Sequence, residues 1–126
     1  MQQKIKTALI SVSDKTDIPM VLKVLKKYNI KIISSGGTYK YIKKLGYVCT
    51  EISSYTGFKE MLDGRVKTLH PKIHAGILHD RTNKKHSKEM VKQKFLSIDL
   101  IIVNFYPFQK IVTSSNNDKE IIENID

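Results

Sequence analysis

The sequence predicts an α/β fold with a mainly parallel central sheet, and three observations support this. Short apolar segments alternate along the 126-residue chain with segments whose apolar residues recur at helical spacing. Residues 100–103 form a continuous apolar run, which is typical of a strand covered on both faces. The length suits a single domain with one sizeable core. Strands and helices in this alternation imply parallel strands joined by right-handed crossovers.

The chain begins with a predicted strand and a predicted helix. Residues 7–13 form an apolar run that stops in small polar residues, which predicts a buried strand followed by a loop. The helix after the loop has apolar residues on one face. Asp17 is expected to cap this helix at its N-terminus, and Pro19 fits its first turn.

Two further strands and a short helix are predicted next. Residues 31–34 form the second strand and residues 48–52 the third. Thr38 is expected to cap the helix between them, and Gly46 is placed to end it.

The second half of the chain continues this alternation. A helical turn is expected at residues 58–62, and a surface helix with a narrow apolar stripe at residues 84–95. Residues 100–108 contain the last strand, and residues 119–125 begin a last helix. Because the chain stops in or just past that helix, at Asp126, we expect the natural protein to continue.

The chain is strongly basic, with 22 lysines and arginines against 12 acidic residues and a formal net charge of +10. Such a balance is common in nucleic-acid-binding proteins. However, only Arg65 and Arg81 are arginines, and the lysines are scattered along the sequence. We therefore interpret the excess charge as a solvated surface, and we expect no nucleic-acid partner.

Cysteine content and hydropathy indicate the compartment. Cys49 is the single cysteine, so no internal disulfide can form and a cytoplasmic location is expected. We expect Cys49 to be a small core residue in a strand. The apolar run at residues 100–103 is far too short to cross a bilayer, so no membrane partner is expected.

Two loops that follow predicted strands have the composition of a phosphate site. They are SVSDKT at residues 11–16 and SSGGT at residues 34–38. Ligands collect at the carboxyl ends of parallel strands, and adjacent glycines let backbone amides approach an anion. Ser35 and Thr38 would add hydroxyl donors, and Lys15 a positive charge. One Gly-Gly pair is equally compatible with a plain turn, but two such loops at consecutive strand ends favour a phosphate monoester. The chain has neither a dinucleotide fingerprint nor a P-loop motif.

The segment GRVKTLHPKIHAGIL, at residues 64–78, places cationic side chains among apolar ones. If Val66 and Leu69 anchor an extended backbone to the core, Arg65 and Lys67 lie on one side of it. Beside a phosphate site, such a pair suggests contacts to anionic or carbonyl oxygens. The alternative is a loop with a lysine-rich surface.

The same segment contains His70 and His74, which flank Pro71. A histidine pair can indicate a metal, but the proline disfavours a regular helical pairing and no third ligand of clear spacing is present. We therefore expect no metal, and we expect structural histidines bonded to backbone carbonyls.

The last predicted strand carries polar residues where a ligand would lie. Asn104 offers both a donor and an acceptor to a heterocycle or amide. Tyr106 offers a phenolic hydroxyl, although by itself it is better explained as a core ring.

Four segments, in this order, resemble the IMP cyclohydrolase domain at the N-terminus of bifunctional purine biosynthesis proteins. They are SVSDKT, SSGGT, TGFKEMLDGRVKTLHPKIHAGIL and NFYPF. The long third segment is specific to cyclohydrolases, whereas the two loops are shared with the wider methylglyoxal-synthase-like superfamily. The resemblance implies a Rossmann-like three-layer sandwich of that type. Residues 1–126 would form one such domain, incomplete at its C-terminus, without the transformylase domain that follows in the family.

The resemblance implies the last step of de novo purine synthesis, in which formyl-AICAR closes to IMP with loss of water. The carboxamide nitrogen attacks the formyl carbon of the same molecule, so holding the two groups face to face supplies much of the acceleration. This step needs no cofactor or metal. The substrate 10-formyltetrahydrofolate would serve only the missing transformylase domain.

The resemblance also implies roles for individual residues. Lys67 would stabilise the oxygen of the attacked formyl group, and Tyr106 would belong to the same hydrogen-bond set. Asp126 would help to take a proton from the carboxamide nitrogen. The implied binding residues are Ser13, Lys15, Ser35, Gly36, Gly37 and Thr38 for the 5′-phosphate, and Arg65, Thr68 and Asn104 for the base and its substituents.

Two other functions are compatible with the superfamily. One is a non-catalytic nucleotide-sensing module, like the allosteric domain of carbamoyl phosphate synthetase, which needs only the phosphate site. The other is methylglyoxal synthase, whose catalytic aspartate pattern has no convincing match here. The RVKTLHP and NFYPF segments favour the cyclohydrolase, because a sensor would not need them. The resemblance further implies a homodimer for the full-length protein. It leaves open the activity of this chain alone, because a catalytic lysine of the family lies beyond Asp126.

Overall fold

A computed structural model describes residues 4–59, 61–62 and 68–104 of the chain. Four of the predicted site residues lie outside these ranges, namely Arg65, Lys67, Tyr106 and Asp126. The predicted helix at residues 119–125 and the later part of the predicted strand at residues 100–108 lie outside them as well.

Four parallel strands form the sheet of the described part of the chain. They are β1 (Thr7–Ser11), β2 (Lys31–Ser34), β3 (Thr50–Glu51) and β4 (Leu100–Val103). Their spatial order is β3-β2-β1-β4, so β1 lies between β2 and β4. The register places Ala8 opposite both Ile32 and Leu100. The predicted α/β fold with a mainly parallel sheet is confirmed.

The described residues contain five helices. They are α1 (Ile18–Lys27), α2 (Gly36–Lys44), α3 (Ile52–Thr56), α4 (Pro71–Leu78) and α5 (Lys84–Gln93). Asp17 is the N-cap residue of α1, as predicted, although its side chain makes no capping hydrogen bond. None of these helices is long and apolar enough to cross a membrane.

Helices cover both faces of the sheet, because β1 alternates its apolar side chains between two cores. Ala8 and Ile10 lie in a core that α1 and α2 cover. Leu9 lies in a second core on the opposite face, together with Ile73 of α4. Each large aliphatic side chain buried in this way contributes roughly 1.5–3 kcal/mol to the free energy of unfolding. The sheet is therefore the middle layer of the predicted three-layer sandwich.

Helix α2 begins earlier than the sequence predicts. Its N-cap residue is Ser35, so the prediction of a cap at Thr38 is wrong. Thr38 Oγ1 accepts from the backbone nitrogen of Val12 at 3.2 Å and donates to its carbonyl oxygen at 3.1 Å. The hydroxyl is therefore committed to the loop after β1 and cannot cap its own helix. Gly46 ends the helix as predicted, since it has a φ of +88° and its N–H donates to Lys43 O at 2.9 Å.

The segment between β2 and α4 differs from the prediction in two ways. Strand β3 has only two residues, and Val48, which was predicted to belong to it, is 89% exposed. The predicted helical turn at residues 58–62 is absent at the described positions, and helix α3 precedes that segment instead. Gly57, with a φ of +79°, ends α3, and the N–H of Phe58 turns back to Thr56 Oγ1 at 3.1 Å.

Helix α4 was not predicted from the sequence, for which the alternative interpretation of this segment was a loop. Pro71 occupies its first turn, where a missing N–H and a fixed φ are tolerated. His70 is the N-cap residue, and its Nδ1 accepts from the backbone nitrogen of Lys72 at 3.0 Å. The predicted helix at residues 84–95 is confirmed as α5, with Asn83 as its cap, although it ends slightly earlier.

Candidate functional site

A pocket of about 510 Å³ opens at the carboxyl ends of β1, β2 and β4. It is enclosed by the loop after β1, the first turn of α2, Thr68 with helix α4, and the end of β4. Its volume falls in the range of small-molecule sites. The predicted site residues that line it are Ser13, Lys15, Ser35, Gly37, Thr38, Thr68 and Asn104. The sequence-predicted loops thus meet at one site, and Gly36 lies between two of its lining residues.

Ser35 leaves a buried hydroxyl without a partner at the start of α2. The residue is only 6% exposed, and its Oγ has no hydrogen-bond partner within the described part of the chain. Serine is a good N-cap residue, yet this side chain makes no capping bond. By contrast, the side chains of His70 and Asn83 do cap α4 and α5. A buried hydroxyl without a partner is costly unless a ligand or water bonds to it.

Lys15 brings a positive charge to the same helix terminus. Its Nζ lies 3.3 Å from the carbonyl oxygen of Val12 and 3.4 Å from that of Ser13. A Cβ atom placed on Gly37 would lie 4.0 Å from the same Nζ. The ammonium group is therefore held between the loop after β1 and the first turn of α2. Helix N-termini carry partial positive charge, so this arrangement attracts an anion.

Gly36 gives the turn into α2 its shape. Its φ is +56°, which is a left-handed conformation that other residues rarely adopt. The turn places the backbone of Gly37 beside the pocket, where it is a lining residue. The Gly-Gly pair therefore lies at the pocket rather than in an isolated surface turn, and its role in phosphate binding stays a prediction.

Asn104 closes the site from the end of β4. Its Oδ1 accepts from the backbone nitrogen of Ser13 at 2.7 Å, from Ser13 Oγ at 3.0 Å, and from the backbone nitrogen of Asp14 at 3.3 Å. Its Nδ2 donates to the carbonyl oxygen of Asp14 at 2.8 Å. Both ends of the amide thus fix the loop after β1. A contact between Asn104 and a base stays a prediction.

In the segment at residues 64–78, some of the described side chains stabilise the fold and others line the pocket. His70 caps α4, and Lys72 Nζ donates to the carbonyl oxygen of Tyr55 at 2.8 Å while lying 5.1 Å from the centre of its ring. His74 lines the pocket together with Thr68. Within the described ranges, no group of three or more His, Cys, Asp or Glu side chains is suited to a metal ion.

Sequence reasoning missed the wall that α4 contributes to the pocket. Ile73, His74 and Ile77 line it, and none of them was assigned a role in the site. A signal for this wall is present in the sequence, because Pro71 fits a first helical turn and Ile73 and Ile77 are four residues apart. His70 is an unusual N-cap residue, so the usual search for Ser, Thr, Asp or Asn does not find this helix.

Comparison with known proteins agrees with the α/β fold described above. Residues 17–126 match the MGS-like domain family. This chain is an MGS-like domain. A solved crystal structure of ForH matches it with a TM-score of 0.74 and 30% sequence identity, over 80% of this chain and 51% of that one. The MGS-like fold that the resemblance implied is therefore confirmed. The loop at residues 34–38 lies within the residues matched to the family, whereas the loop at residues 11–16 precedes them.

Curated relatives of this MGS-like domain carry the name bifunctional purine biosynthesis protein PurH. The protein from Leptospira biflexa is 49% identical over 98% of this chain, and the one from Acetivibrio thermocellus is 50% identical over 97%. The protein from Elusimicrobium minutum is 44% identical over 99%. The chain spans about a quarter of the length of these relatives, 24–25% in each case.

Proposed function

We propose that this MGS-like domain is the IMP cyclohydrolase part of a purine biosynthesis enzyme and closes formyl-AICAR to IMP with loss of water. The observation that carries the proposal is the Ser35 hydroxyl, which is buried without a partner in the described part of the chain, in a pocket that Lys15 also lines. The PurH relatives support it through their name and their identity of 44–50% over nearly the whole chain.

The proposed phosphate site combines three kinds of donor. Backbone N–H groups at the first turn of α2 point towards the anion, as at other helix N-termini. The Ser35 hydroxyl donates a hydrogen bond, and Lys15 supplies a full positive charge. The Thr38 hydroxyl proton is already given to the Val12 carbonyl, so Thr38 is proposed to act by joining the two loops and through its backbone.

The chemical step is proposed to depend on orientation more than on a reactive group. With the 5′-phosphate fixed in the α2 turn, the base is proposed to extend along the pocket towards Thr68. Fixing one end of the substrate and its base holds the carboxamide nitrogen near the formyl carbon, so the ring closes within one molecule. Lys67, Tyr106 and Asp126 remain the proposed groups that stabilise the formyl oxygen and move the proton.

The remaining properties are proposed on the same basis. The substrate is a small nucleotide rather than a nucleic acid or a membrane surface, and the cyclisation uses no cofactor or metal. The protein is proposed to act in the cytoplasm, as a homodimer in its full-length form. These properties accompany the cyclohydrolase function in the proposal.

A binding assay and a turnover assay test the proposal. Calorimetric titration of the chain with IMP should show binding that Ser35→Ala and Lys15→Gln each weaken, the latter by about tenfold or more, because a charge-assisted bond is lost. Lys88→Gln, on the exposed side of α5, is the matched lysine control and should leave the affinity unchanged.

The turnover assay distinguishes the enzyme from the regulatory module. Formyl-AICAR is added to the full-length protein, and IMP formation is followed by absorbance. Lys67→Ala should abolish most of the turnover, but the protein should keep its affinity for phosphate. Tight IMP binding with no cyclisation of formyl-AICAR would instead identify a nucleotide-sensing module.

A further inference from the structure

His74 differs from the other three histidines of the chain. His70 accepts from the Lys72 backbone nitrogen, and His86 accepts from the Asp80 backbone nitrogen at 2.9 Å. His79 lies 2.7 Å from the Ala75 carbonyl oxygen and 3.2 Å from Ser97 Oγ. The ring of His74 makes no hydrogen bond to any residue in the described part of the chain, and it lines the pocket.

The helix that carries His74 is held firmly in place. Ile73, next to it, is 1% exposed and lies in the second core, on the face of the sheet opposite α1 and α2. On the other side, Gly76 allows such close packing that an added Cβ would lie 2.8 Å from the carbonyl oxygen of Leu96. The His70 cap fixes the first turn. His74 is therefore presented to the pocket from a rigid element, as binding residues usually are.

The pocket has two chemically different ends. The α2 end offers an ammonium group, a free hydroxyl and backbone amides, which suit a phosphate. The α4 and β4 end offers the aliphatic side chains of Ile73, Ile77 and Ile101, with the His74 imidazole as a polar group among them. A ligand that matches both ends has a phosphate and a flat, largely apolar body with a few polar atoms.

We infer that His74 contacts the nucleoside portion of a bound nucleoside monophosphate and so discriminates nucleotides from small phosphates. A neutral imidazole has one donor and one acceptor, so it can bond to a ribose hydroxyl or to a polar atom of the base. The inference rests on the proposed function, because it assumes that the phosphate occupies the α2 end.

The experiment compares ligands that share a phosphate. The 126-residue chain is titrated with inorganic phosphate, ribose 5-phosphate and IMP, as wild type and as His74→Ala, His74→Gln and His86→Ala. His74→Ala should weaken IMP binding by about tenfold, which corresponds to one net hydrogen bond, and leave inorganic phosphate unaffected. His74→Gln, which keeps a donor and an acceptor, should recover part of the affinity. Comparing IMP with ribose 5-phosphate shows whether the contact is to the base or to the ribose.

His86→Ala is the matched control, since it removes an exposed histidine that does not line the pocket. Circular dichroism confirms that each variant is folded. The inference is overturned if His74→Ala binds IMP as tightly as wild type, or if it weakens inorganic phosphate and IMP equally. In both of those cases the proposed function survives. If the wild-type chain binds neither IMP nor inorganic phosphate, the proposed function and the inference fail together.

In full-length protein that cyclises formyl-AICAR, the same contact has a kinetic consequence. His74→Ala should raise KM and leave kcat nearly unchanged, because the contact is made equally in the bound substrate and in the transition state. A fall in kcat at constant KM would contradict a binding role.

Discussion

The side chains of Asn104 and Ser13, which are ninety-one residues apart in the chain, are joined by a hydrogen bond of 3.0 Å, and Asn104 Oδ1 also accepts from the Ser13 backbone nitrogen at 2.7 Å. The contact exists because β4 pairs with β1, so that Asn104 leaves the sheet beside the loop that follows β1. The shape of the loop after β1 therefore depends on the residue that directly follows the last described strand.

Asn104→Ala tests this dependence. Removing the amide removes the hydrogen bonds that Asn104 makes with Ser13 and Asp14, so we expect a loss of about 1–2 kcal/mol in the free energy of unfolding. The loop that carries Lys15 loses its support, and the affinity for inorganic phosphate should fall several-fold. Urea denaturation and calorimetry measure the two effects.

Asn104→Asp is the companion variant. A carboxylate can still accept from Ser13, but it repels the Asp14 carbonyl oxygen and a bound anion. It should therefore weaken phosphate binding more than Asn104→Ala does, and added salt should reduce the difference. Equal phosphate affinity in wild type and both variants would contradict a role for Asn104 in shaping the loop.

The His70 cap should be measurable in the stability of the domain. His70→Ala removes the acceptor for the Lys72 backbone nitrogen, so we expect a loss of about 1 kcal/mol in the free energy of unfolding. His70→Asn keeps a good capping group and should recover most of this loss, apart from the packing of the ring near Phe58. If His70→Asn is as unstable as His70→Ala, the ring contact matters rather than the cap.

Gly76 should tolerate no side chain. In Gly76→Ala the new Cβ would lie 2.8 Å from Leu96 O and 3.0 Å from Ile98 Cγ1, so α4 must move away from the segment before β4. We expect a loss of about 1–3 kcal/mol in the free energy of unfolding, as for other overpacked sites.

The matched control for this variant is Gly37→Ala in α2. There the new Cβ meets only the flexible end of Lys15, at 4.0 Å. Its unfolding free energy should stay constant or rise by about 0.4–1 kcal/mol, because alanine restricts the unfolded chain. In thermal unfolding, the midpoint temperature should therefore fall for Gly76→Ala, whereas for Gly37→Ala it should stay constant or rise.

Cys49 should make stability depend on alkaline pH. Burial raises the pKa of its thiol above the ordinary value of 9.0, although the Ser34 hydroxyl, 3.0 Å from the sulfur, partly opposes the shift. The unfolded state therefore loses this proton at lower pH than the folded state. The thiol has no net effect on stability below the unfolded pKa, and it favours unfolding as the pH rises past 9.0.

This prediction is checked by denaturation at several pH values with Cys49→Ala as the reference, because tyrosines and lysines titrate in the same range. The free energy of unfolding of the wild type, relative to that of Cys49→Ala, should fall as the pH rises above 9.0. Iodoacetamide should modify the native thiol slowly and the unfolded thiol quickly. Rapid modification of the folded protein would contradict the burial of Cys49.

Features that depend on neighbouring residues were predictable from the sequence. The first two strands, the end of α2 at Gly46 and the helix at α5 follow from periodicity and from glycine chemistry, which act over a few residues. The two loops predicted to bind phosphate were noticeable for the same reason, since their small and hydroxyl residues are contiguous, and residues of both line the pocket. The proposed reaction came from the resemblance of the longer segments to cyclohydrolases and not from these local patterns.

Features that depend on strand order were not predictable in this way. Thr38 bonds to Val12 across the sheet instead of capping its own helix, and Asn104 holds the Ser13 loop. Helix α4 brings His74 to the pocket through a histidine cap that local preferences do not favour. Local sequence patterns therefore identified β1, β2, α5 and the two loops that line the pocket, but not α3 or α4. Which side chains line the pocket and which hold its loops depends on the tertiary structure, because parallel strands place side by side residues that are far apart in the chain.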